Sequence, residues 1–444
     1  MTNADADDGR RSLPSGKVLG LPDHSQRSIA IGEVHARPHP LLSSPRLLIQ
    51  LSFMTDGGSS VDGAVLAELA RRQGVAAPDR QARHFVMKWG KGSLRWERHS
   101  EFSTYLWEGP LPEGRSGIEE APFGQGFSPP GTVISGIRLE LREWTPKAES
   151  LVAALDAESL CNSLVEDSKA AIATDFRQDG EGLTRMVILD RGLTQARRGA
   201  LAQRMIEIET YRTLAMLGLP LAQSLSGQLR RMEDRLAVLT GEMRGSDRRN
   251  SQELLADLTE LAADLEAQAA SSLFRFGASR AYYDIVTERL EALKEVAMAG
   301  AETWEGFLER RVAPAMRTCR SVEERQANLS RKLARAAQLL RTWVDVEVEK
   351  QNRDLLASMN RRARQQLRLQ QTVEGLSVAA VSYYVVGLVA YLVHSYPMLP
   401  PWLPPETVIG LSVPLVVLGM WLFVRRIRRH FREDDRGEKS GDDE

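Results

Sequence analysis

The 444-residue sequence has only two cysteines, Cys161 and Cys319, and they lie far apart in the chain. Two distant cysteines give neither the paired spacing of a zinc site nor a disulfide framework, and they fit a reducing cytoplasm. The sequence also lacks the Gly-x-Ser-x-Gly, His-Glu-x-x-His and Cys-x-x-Cys patterns and the Gly-Lys-Ser/Thr ending of a phosphate-binding loop. These absences argue against several enzyme classes, and we predict no cofactor and no catalytic residue.

Charged residues are missing from two apolar runs near the C-terminus, residues 375–393 and 408–424. The runs are 19 and 17 residues long, and a helix needs about 17–25 residues to cross a bilayer of about 30 Å. Pro414 interrupts the second run, which a membrane helix tolerates where its neighbours satisfy the freed carbonyl. We predict a two-helix transmembrane hairpin; the alternative is a buried hairpin in a soluble core.

Lysine and arginine are absent from the loop between the runs, residues 394–407, whereas arginines cluster on the other side of both runs. By the positive-inside rule, this asymmetry predicts an external loop and a cytoplasmic N-terminus and C-terminus, with the basic then acidic tail 425–444 also inside. The orienting arginines are Arg361, Arg362, Arg364, Arg368, Arg425, Arg426, Arg428, Arg429 and Arg432.

The N-terminus lacks the apolar core of a signal peptide, and we predict that residues 1–25 are disordered because they offer little to bury. Residues 26–191 alternate between strand-like and helix-like patterns and predict an α+β head domain with a mostly antiparallel sheet. The predicted strands are 47–54, 84–89, 94–99, 102–107, 133–141 and 183–189; the predicted helices are 61–72 and 147–159; and 109–131 is a long loop.

Residues 192–374 predict a long antiparallel helical bundle or coiled-coil stalk. Apolar residues recur there every three or four positions, and glycine and proline are absent between Pro314 and Gly375. Such a stretch allows a helix of about 90 Å. The four–three spacing typical of a coiled coil runs through Leu329, Leu333, Ala336, Leu340 and Trp343. Basic and acidic residues interleave along residues 195–370, which argues against nucleic-acid binding.

The first apolar run repeats Gly375, Ala379, Tyr383 and Gly387 at intervals of four. Small residues on one helix face let membrane helices approach closely. Two interpretations stay open: this face packs against another copy of the chain, or against the second span of the same chain.

Glu33, His35, Arg37 and His39 alternate near the start of the head. On an extended segment they share one face, so Glu33, His35 and His39 are candidate metal ligands or acid–base groups. Pro38 and Pro40 favour a different interpretation, a polar motif that pins this segment to its own domain or binds a partner.

Two further sets of residues have a structural and a functional interpretation. His84 and His99 lie near opposite ends of one predicted hairpin and would meet across its strands. Tyr211, Arg212, Arg280, Tyr282 and Tyr283 lie on predicted helices. They would line an interaction surface or, as we favour, occupy half-buried positions in the bundle.

Five stretches resemble a bacterial family of membrane-anchored proteins, domain of unknown function 3422. They are IGEVHARPHP (31–40), EIETYRTLAMLGLP (207–220), FRFGASRAYYDIVTERL (274–290), FLERRVAPAMRTC (307–319) and QTVEGLSVAAVSYYVVGL (371–388). The resemblance implies anchoring in the inner membrane and no known activity. The architecture also resembles CorA-type magnesium channels, but their Gly-Met-Asn motif is absent.

These patterns predict a membrane-anchored, cytoplasmic-facing scaffold or interaction protein that is not an enzyme. Its expected partners are the lipid bilayer, further copies of itself and other proteins. The alternatives are a CorA-like ion or solute transporter without the usual selectivity motif and an enzyme that uses His35 and His39.

Overall fold

The computed structural model describes residues 17–18, 21–22, 24, 26–27, 30–31, 39–55, 59–80, 82–112, 118–124, 126–245, 251–395 and 404–437. Of the predicted disordered segment 1–25, only the short strands β1 (Lys17–Val18) and β2 (Leu21–Pro22) and residue His24 are described, and the rest lies outside the described residues. The chain divides into two units, Met1–Gln338 and Leu339–Glu444, and each is described by itself.

The described residues of the head form nine further strands, two α-helices and a short 3-10 helix, Ile118–Glu120. Its strands are β3 (Arg46–Met54), β4 (His84–Trp89), β5 (Gly92–Arg98), β6 (Phe102–Pro110), β7 (Thr132–Glu143), β8 (Cys161–Val165), β9 (Ala170–Gln178), β10 (Thr184–Asp190) and β11 (Val296–Ala297). Its helices are α1 (Ser59–Gln73) and α2 (Pro146–Ala153). The helices that follow are α3 (Gln195–Met216), α4 (Gly218–Gly245), α5 (Ser251–Glu291), α6 (Trp304–Ser395) and α7 (Pro405–Gly437).

The nine strands form one mixed sheet in the order β11-β8-β9-β10-β7-β3-β6-β5-β4. Every neighbouring pair is antiparallel except β7 and β10, which run parallel. The predicted, mostly antiparallel sheet is therefore confirmed. The helix predicted over 147–159 was too long, because α2 ends at Ala153. A turn follows, in which the Asp156 carboxylate accepts a hydrogen bond from the Glu158 N–H.

One face of the sheet packs against α1. Alternate residues of β3, including Leu47, Ile49 and Phe53, meet Leu66 and Leu69 of α1 in one core, where each is at most 2% exposed. Burying a side chain of this size stabilises the fold by about 1.5–3 kcal/mol. Because strand side chains alternate between faces, the intervening residues of β3 are free to pack against another element.

That element is α3, on the opposite face. Gln50 of β3 donates to the Thr210 hydroxyl at 3.0 Å, and Thr184 of β10 donates to the Glu209 carboxylate at 2.8 Å. Gly199 lies so close to the Pro40 carbonyl that a Cβ there would stand 1.7 Å from its oxygen. Glycine at 199 therefore lets the segment before β3 cross α3.

Helices α4, α5 and the first part of α6 exchange side-chain hydrogen bonds. Arg325 of α6 donates to Glu233 of α4 at 2.8 Å, and Arg280 of α5 donates to Glu323 at 2.7 Å. The predicted break near residues 218–220 matches the end of α3 and the start of α4. Four positions of the predicted coiled-coil seam, Leu329, Leu333, Ala336 and Leu340, are at most 6% exposed, but Trp343 is 51% exposed.

The second unit contains the end of α6 and the whole of α7. Many apolar residues of its two uncharged segments are exposed: Leu376 is 74% and Leu411 is 70% exposed. Both helices contain segments long and apolar enough to cross a membrane. Pro414 lies inside α7 without ending it.

Candidate functional site

The alternating histidine motif is only partly described. Glu33, His35 and Arg37 lie outside the described residues, and His39 is exposed. Within the described part of the chain, no three His, Cys, Asp or Glu side chains lie close enough together to hold a metal ion. The motif ends at Pro40, which packs at Gly199 and lines a cavity beneath α3.

His84 and His99 do not form the cross-strand pair that the sequence suggested. The register of β4 and β5 places Glu97 opposite His84. His99 lies in the turn after β5, where its ring stacks on Phe102 with the centroids 4.1 Å apart and the planes within 6° of each other. The turn between β5 and β6 therefore directs the His99 ring onto its own hairpin.

His99 belongs to a cluster of four aromatic rings that joins three parts of the chain. The cluster consists of His99 and Phe102 from the β5–β6 turn, Tyr211 from α3 and Tyr282 from α5. Tyr211 and Tyr282 stack with centroids 5.5 Å apart, and Phe102 meets each of them edge-on at 6.1 Å. Such pairs add about 0.5–1.5 kcal/mol each beyond the area they bury.

A buried ion pair holds the aromatic cluster against α5. The Glu101 side chain is 8% exposed and accepts two hydrogen bonds from Arg275, at 2.5 and 3.1 Å. Burial and the hydrogen bond to Glu101 raise the pKa of the Tyr282 hydroxyl above its usual range. The Tyr282 hydroxyl therefore stays protonated at neutral pH and acts as a donor.

An open cavity lies beside this cluster, and we call it the arginine cavity. It is lined by the four rings together with Arg83, Arg98, Ser100 and Ile285. Its volume is about 750 Å³, a figure that includes the open solvent at its mouth. The Arg98 backbone N–H donates to the Arg83 carbonyl at 2.8 Å, which joins the backbones of the two residues. The lining, all of it within the described residues, contains no carboxylate.

A second cavity, the helix cavity, lies between the sheet and α3 and shares His99, Phe102 and Tyr211 with the first. Its volume is about 650 Å³, again including open solvent. Its apolar lining includes Leu48 and Ile206. Its polar lining residues include Gln50, Thr104, Thr210, Arg95 and Glu97.

Sequence reasoning named Tyr211 and Tyr282 but did not place them beside the β5–β6 turn. We favoured half-buried positions for both; Tyr211 is partly exposed, whereas Tyr282 is buried, with 8% of its surface exposed. Arg212 and Arg280 are paired with Glu209 and Glu323 at 2.6 and 2.7 Å. No periodicity in the sequence reports contacts between residues more than a hundred positions apart, so the cavities could not be found from it.

The four residues of the small-residue face, Gly375, Ala379, Tyr383 and Gly387, are all exposed. Tyr383 is 78% exposed, and nothing lies within 4 Å of a Cβ built on either glycine. The neighbouring face carries Ser382, which is 4% exposed. The packing role of the four residues stays a prediction.

The arginines that flank the apolar segments are exposed wherever their side chains are described. These are Arg361, Arg362, Arg364, Arg368, Arg425 and Arg426. Arg425 lies over the Trp421 ring, 4.9 Å from its centroid. The side chains of Arg428, Arg429 and Arg432 lie outside the described part of the structure.

A known protein family matches most of the chain. Residues 22–431 match a family described as a protein of unknown function, DUF3422. No curated protein matches the chain. The match covers all five stretches on which the resemblance rested, whereas the likeness to CorA-type channels gains no support from it.

Proposed function

The chain belongs to the DUF3422 family of proteins of unknown function, and we propose that it is a membrane-anchored scaffold of the bacterial inner membrane. In this proposal, α6 ends in one membrane span and α7 begins with the other. The head and the helical region lie in the cytoplasm, and copies of the chain associate with one another.

The observation that carries the proposal is the exposure of apolar side chains in the second unit. Leu376, Leu388, Leu411 and Leu415 are 64–74% exposed. Soluble proteins rarely expose continuous apolar patches larger than a few hundred Å². Lipid would cover these side chains, and a helix satisfies nearly all of its backbone hydrogen bonds internally, as a bilayer requires.

The exposed arginines support the orientation. Four precede the first apolar segment, Arg361, Arg362, Arg364 and Arg368, and Arg425 and Arg426 follow the second. Both groups therefore belong on the cytoplasmic side, where each arginine near an anionic surface contributes about 1 kcal/mol of attraction. The Trp421 ring beneath Arg425 suits the interface between lipid and water.

Polar contacts support an antiparallel bundle. As residue numbers rise along α4 they fall along α5: Gln268 donates to Gln228, and Arg235 donates to Glu260. Residue numbers also run in opposite directions along α5 and α6: Ser330 donates a hydrogen bond to Glu266, and Arg280 donates one to Glu323. A rigid bundle of this kind suits a scaffold.

Self-association is proposed from two exposed surfaces of α6. Leu339, Trp343 and Val346 follow a four–three spacing and are 51–59% exposed. Nearer the C-terminus, the face formed by Gly375, Ala379, Tyr383 and Gly387 offers small residues for close approach of a second helix. A second copy of the chain would cover both surfaces.

Disulfide crosslinking in native membranes tests the proposal. We expect Ala379→Cys to give a crosslinked dimer on mild oxidation, because its face would meet the same face of a neighbour. Ser382→Cys is the matched control three residues away, and its buried position should leave it monomeric. A strictly monomeric Ala379→Cys protein, or equal crosslinking of both variants, would contradict self-association through this face.

A further inference from the structure

We propose that the edge of the sheet at β4 binds an acidic, extended segment of a partner protein, which adds to the sheet as a further strand. The strand order ends at β4, which pairs with β5 and with no other strand of the described residues. This inference does not depend on the membrane anchor, since β4 lies wholly in the first unit. It assigns a partner class to a surface that has no assigned role.

The pairing of β4 with β5 shows which backbone groups face outward. In an antiparallel pair of strands, residue pairs that exchange two hydrogen bonds alternate with pairs that exchange none. The Arg98 N–H donates to the Arg83 carbonyl at 2.8 Å, so this pair is hydrogen-bonded and the next pair along β4 is not. The N–H and C=O groups of His84, Val86 and Lys88 therefore point away from β5. Among the residues that the structure describes, none forms a hydrogen bond to these outward groups.

The edge of β4 is regular and has few of the features that protect sheet edges. Proteins block such edges with proline, with β-bulges, with covering elements or with lysines. β4 contains no proline and a single lysine, Lys88, and its register with β5 is unbroken over six residue pairs. Val86, in the middle of the strand, is 48% exposed. An extended segment can therefore form main-chain hydrogen bonds along this edge, which is the mode of binding called β-strand addition.

The charge around β4 selects an acidic occupant. Residues 80–96 include five lysines and arginines and no aspartate or glutamate. Of the five, Arg80, Lys88 and Lys91 are among the exposed residues. Opposite charges across a strand pair stabilise it, whereas like charges destabilise it. A second copy of the chain would bring the same basic hairpin to the edge, so an acidic segment is favoured over self-pairing.

The two faces of β4 set the side-chain pattern of the occupant. On one face Met87 is 5% exposed, and Phe85 and Trp89 pack against the same core. The residues between them are exposed and include Lys88. Because side chains alternate between the faces of a strand, the added segment should place apolar residues beside Met87 and acidic residues on the other face.

Binding of a synthetic peptide to the full chain in a non-ionic detergent tests this inference. The probe is fluorescein-labelled Val-Glu-Val-Glu-Val-Glu-amide. We expect a saturable rise in fluorescence anisotropy and slower backbone hydrogen exchange over residues 84–89 in the complex. The matched peptide with lysine in place of each glutamate should bind at least tenfold more weakly. Equal affinity for the two peptides would overturn the acidic preference.

Val86→Pro removes one outward N–H and leaves the hydrogen bonds to β5 in place, because edge strands tolerate proline where the N–H faces solvent. It should weaken binding at least tenfold, whereas Val86→Thr, the matched control, should leave binding unchanged. Unchanged binding to a folded Val86→Pro protein would overturn strand addition at this edge.

Lys88→Glu provides a second test that does not alter the backbone. Since Lys88 is exposed, this change keeps the fold, and it should reduce the preference for the glutamate peptide at least tenfold. An unchanged preference would place the peptide elsewhere and overturn the proposal. Dimerisation of the chain through β4 that excludes the peptide would overturn it in favour of self-pairing.

Discussion

Leu66 on α1 is 1% exposed, whereas Leu376 on α6 is 74% exposed, although both are leucines in regular helices. The first side chain is covered by a sheet of the same chain, and the second has no cover of that kind in its own unit. In the head, the sequence supplies both sides of each apolar contact. Leu376 in the second unit lacks such a cover among the described residues of that unit, and we propose that lipid or another copy of the chain covers it.

The two regions also differ in how they hold polar groups. Asp62 in the first turn of α1 is 1% exposed and accepts hydrogen bonds from Ser103 and Tyr105, each at 2.8 Å. Between residues 375 and 393 there is no acidic or basic side chain to satisfy. In a folded core, specific hydrogen-bond donors offset the free-energy cost of burying a carboxylate, whereas membrane spans in general contain few charged side chains.

Removing the second region should have the largest effect. A chain ending at Leu369 loses both apolar segments, so we expect it to move completely from the membrane fraction to the soluble fraction. Fractionation after an alkaline carbonate wash measures this, with the full chain as the control. A truncated protein that stays with the membrane would show that the head carries the anchor.

Two alanine substitutions compare a buried site in the head with an exposed site in the second unit. Trp107→Ala empties a fully buried site in the head and should lower the free energy of unfolding by about 3–5 kcal/mol. Leu388→Ala, at a residue that is 64% exposed, should change head unfolding by less than about 0.5 kcal/mol. Denaturant titration monitored by tryptophan fluorescence and circular dichroism checks both, and similar losses would refute the division into two environments.

Breaking the ion pair beneath α3 should come next in size. Glu209 is buried and accepts hydrogen bonds from Arg212 and Thr184. Arg212→Gln removes the positive charge that balances the buried carboxylate, so we expect a loss of about 2–3 kcal/mol in head stability. Arg177→Gln, whose side chain is 59% exposed, is the control and should cost little. Equal effects of the two variants would argue against a buried pair.

The smallest expected effect is a pH dependence in the helical region. The hydrogen bond from Arg325 lowers the pKa of Glu233 below its ordinary value of 4.5. The pair therefore stabilises the fold above about pH 4.5, and its contribution disappears as the pH falls through the lowered pKa. Because both side chains are about one-third exposed, the contribution should be at most about 0.5 kcal/mol.

The stability difference between the wild type and Arg325→Gln, measured at pH 6 and at pH 3, checks this. The difference should shrink at the lower pH. A difference that grows as the pH falls would show that the sign of the linkage is wrong.

Local patterns predicted much of the fold. The strand over 84–89 has the predicted bounds, and β3, β6, β7 and β10 lie within a few residues of theirs. The strands β8 and β9 were missed, because CNSLV is short and polar and AAIATDFRQ contains three alanines, which have low strand propensity. Their conformation comes from pairing with each other and with β10, a tertiary contact that no local pattern records.

The candidate site was less accessible to prediction than the fold. Tyr211 and Tyr282 were singled out, but the contacts of Tyr211 with His99 and of Tyr282 with Phe102 depend on how α3 and α5 pack on the sheet. The apolar segments, in contrast, were recognised from the sequence because their length and lack of charge are local properties. Trp343 marks the limit of such reasoning: its spacing continues the buried seam, yet its side chain is exposed.

We propose that the last two apolar helices lie in lipid with both ends on the cytoplasmic side. Labelling of spheroplasts with a membrane-impermeant maleimide tests it most directly, using Ser395→Cys after the first segment and Asn360→Cys before it. We expect Ser395→Cys to react in intact spheroplasts, whereas Asn360→Cys should react only after lysis. Labelling of both positions before lysis, or of 360 alone, would contradict it.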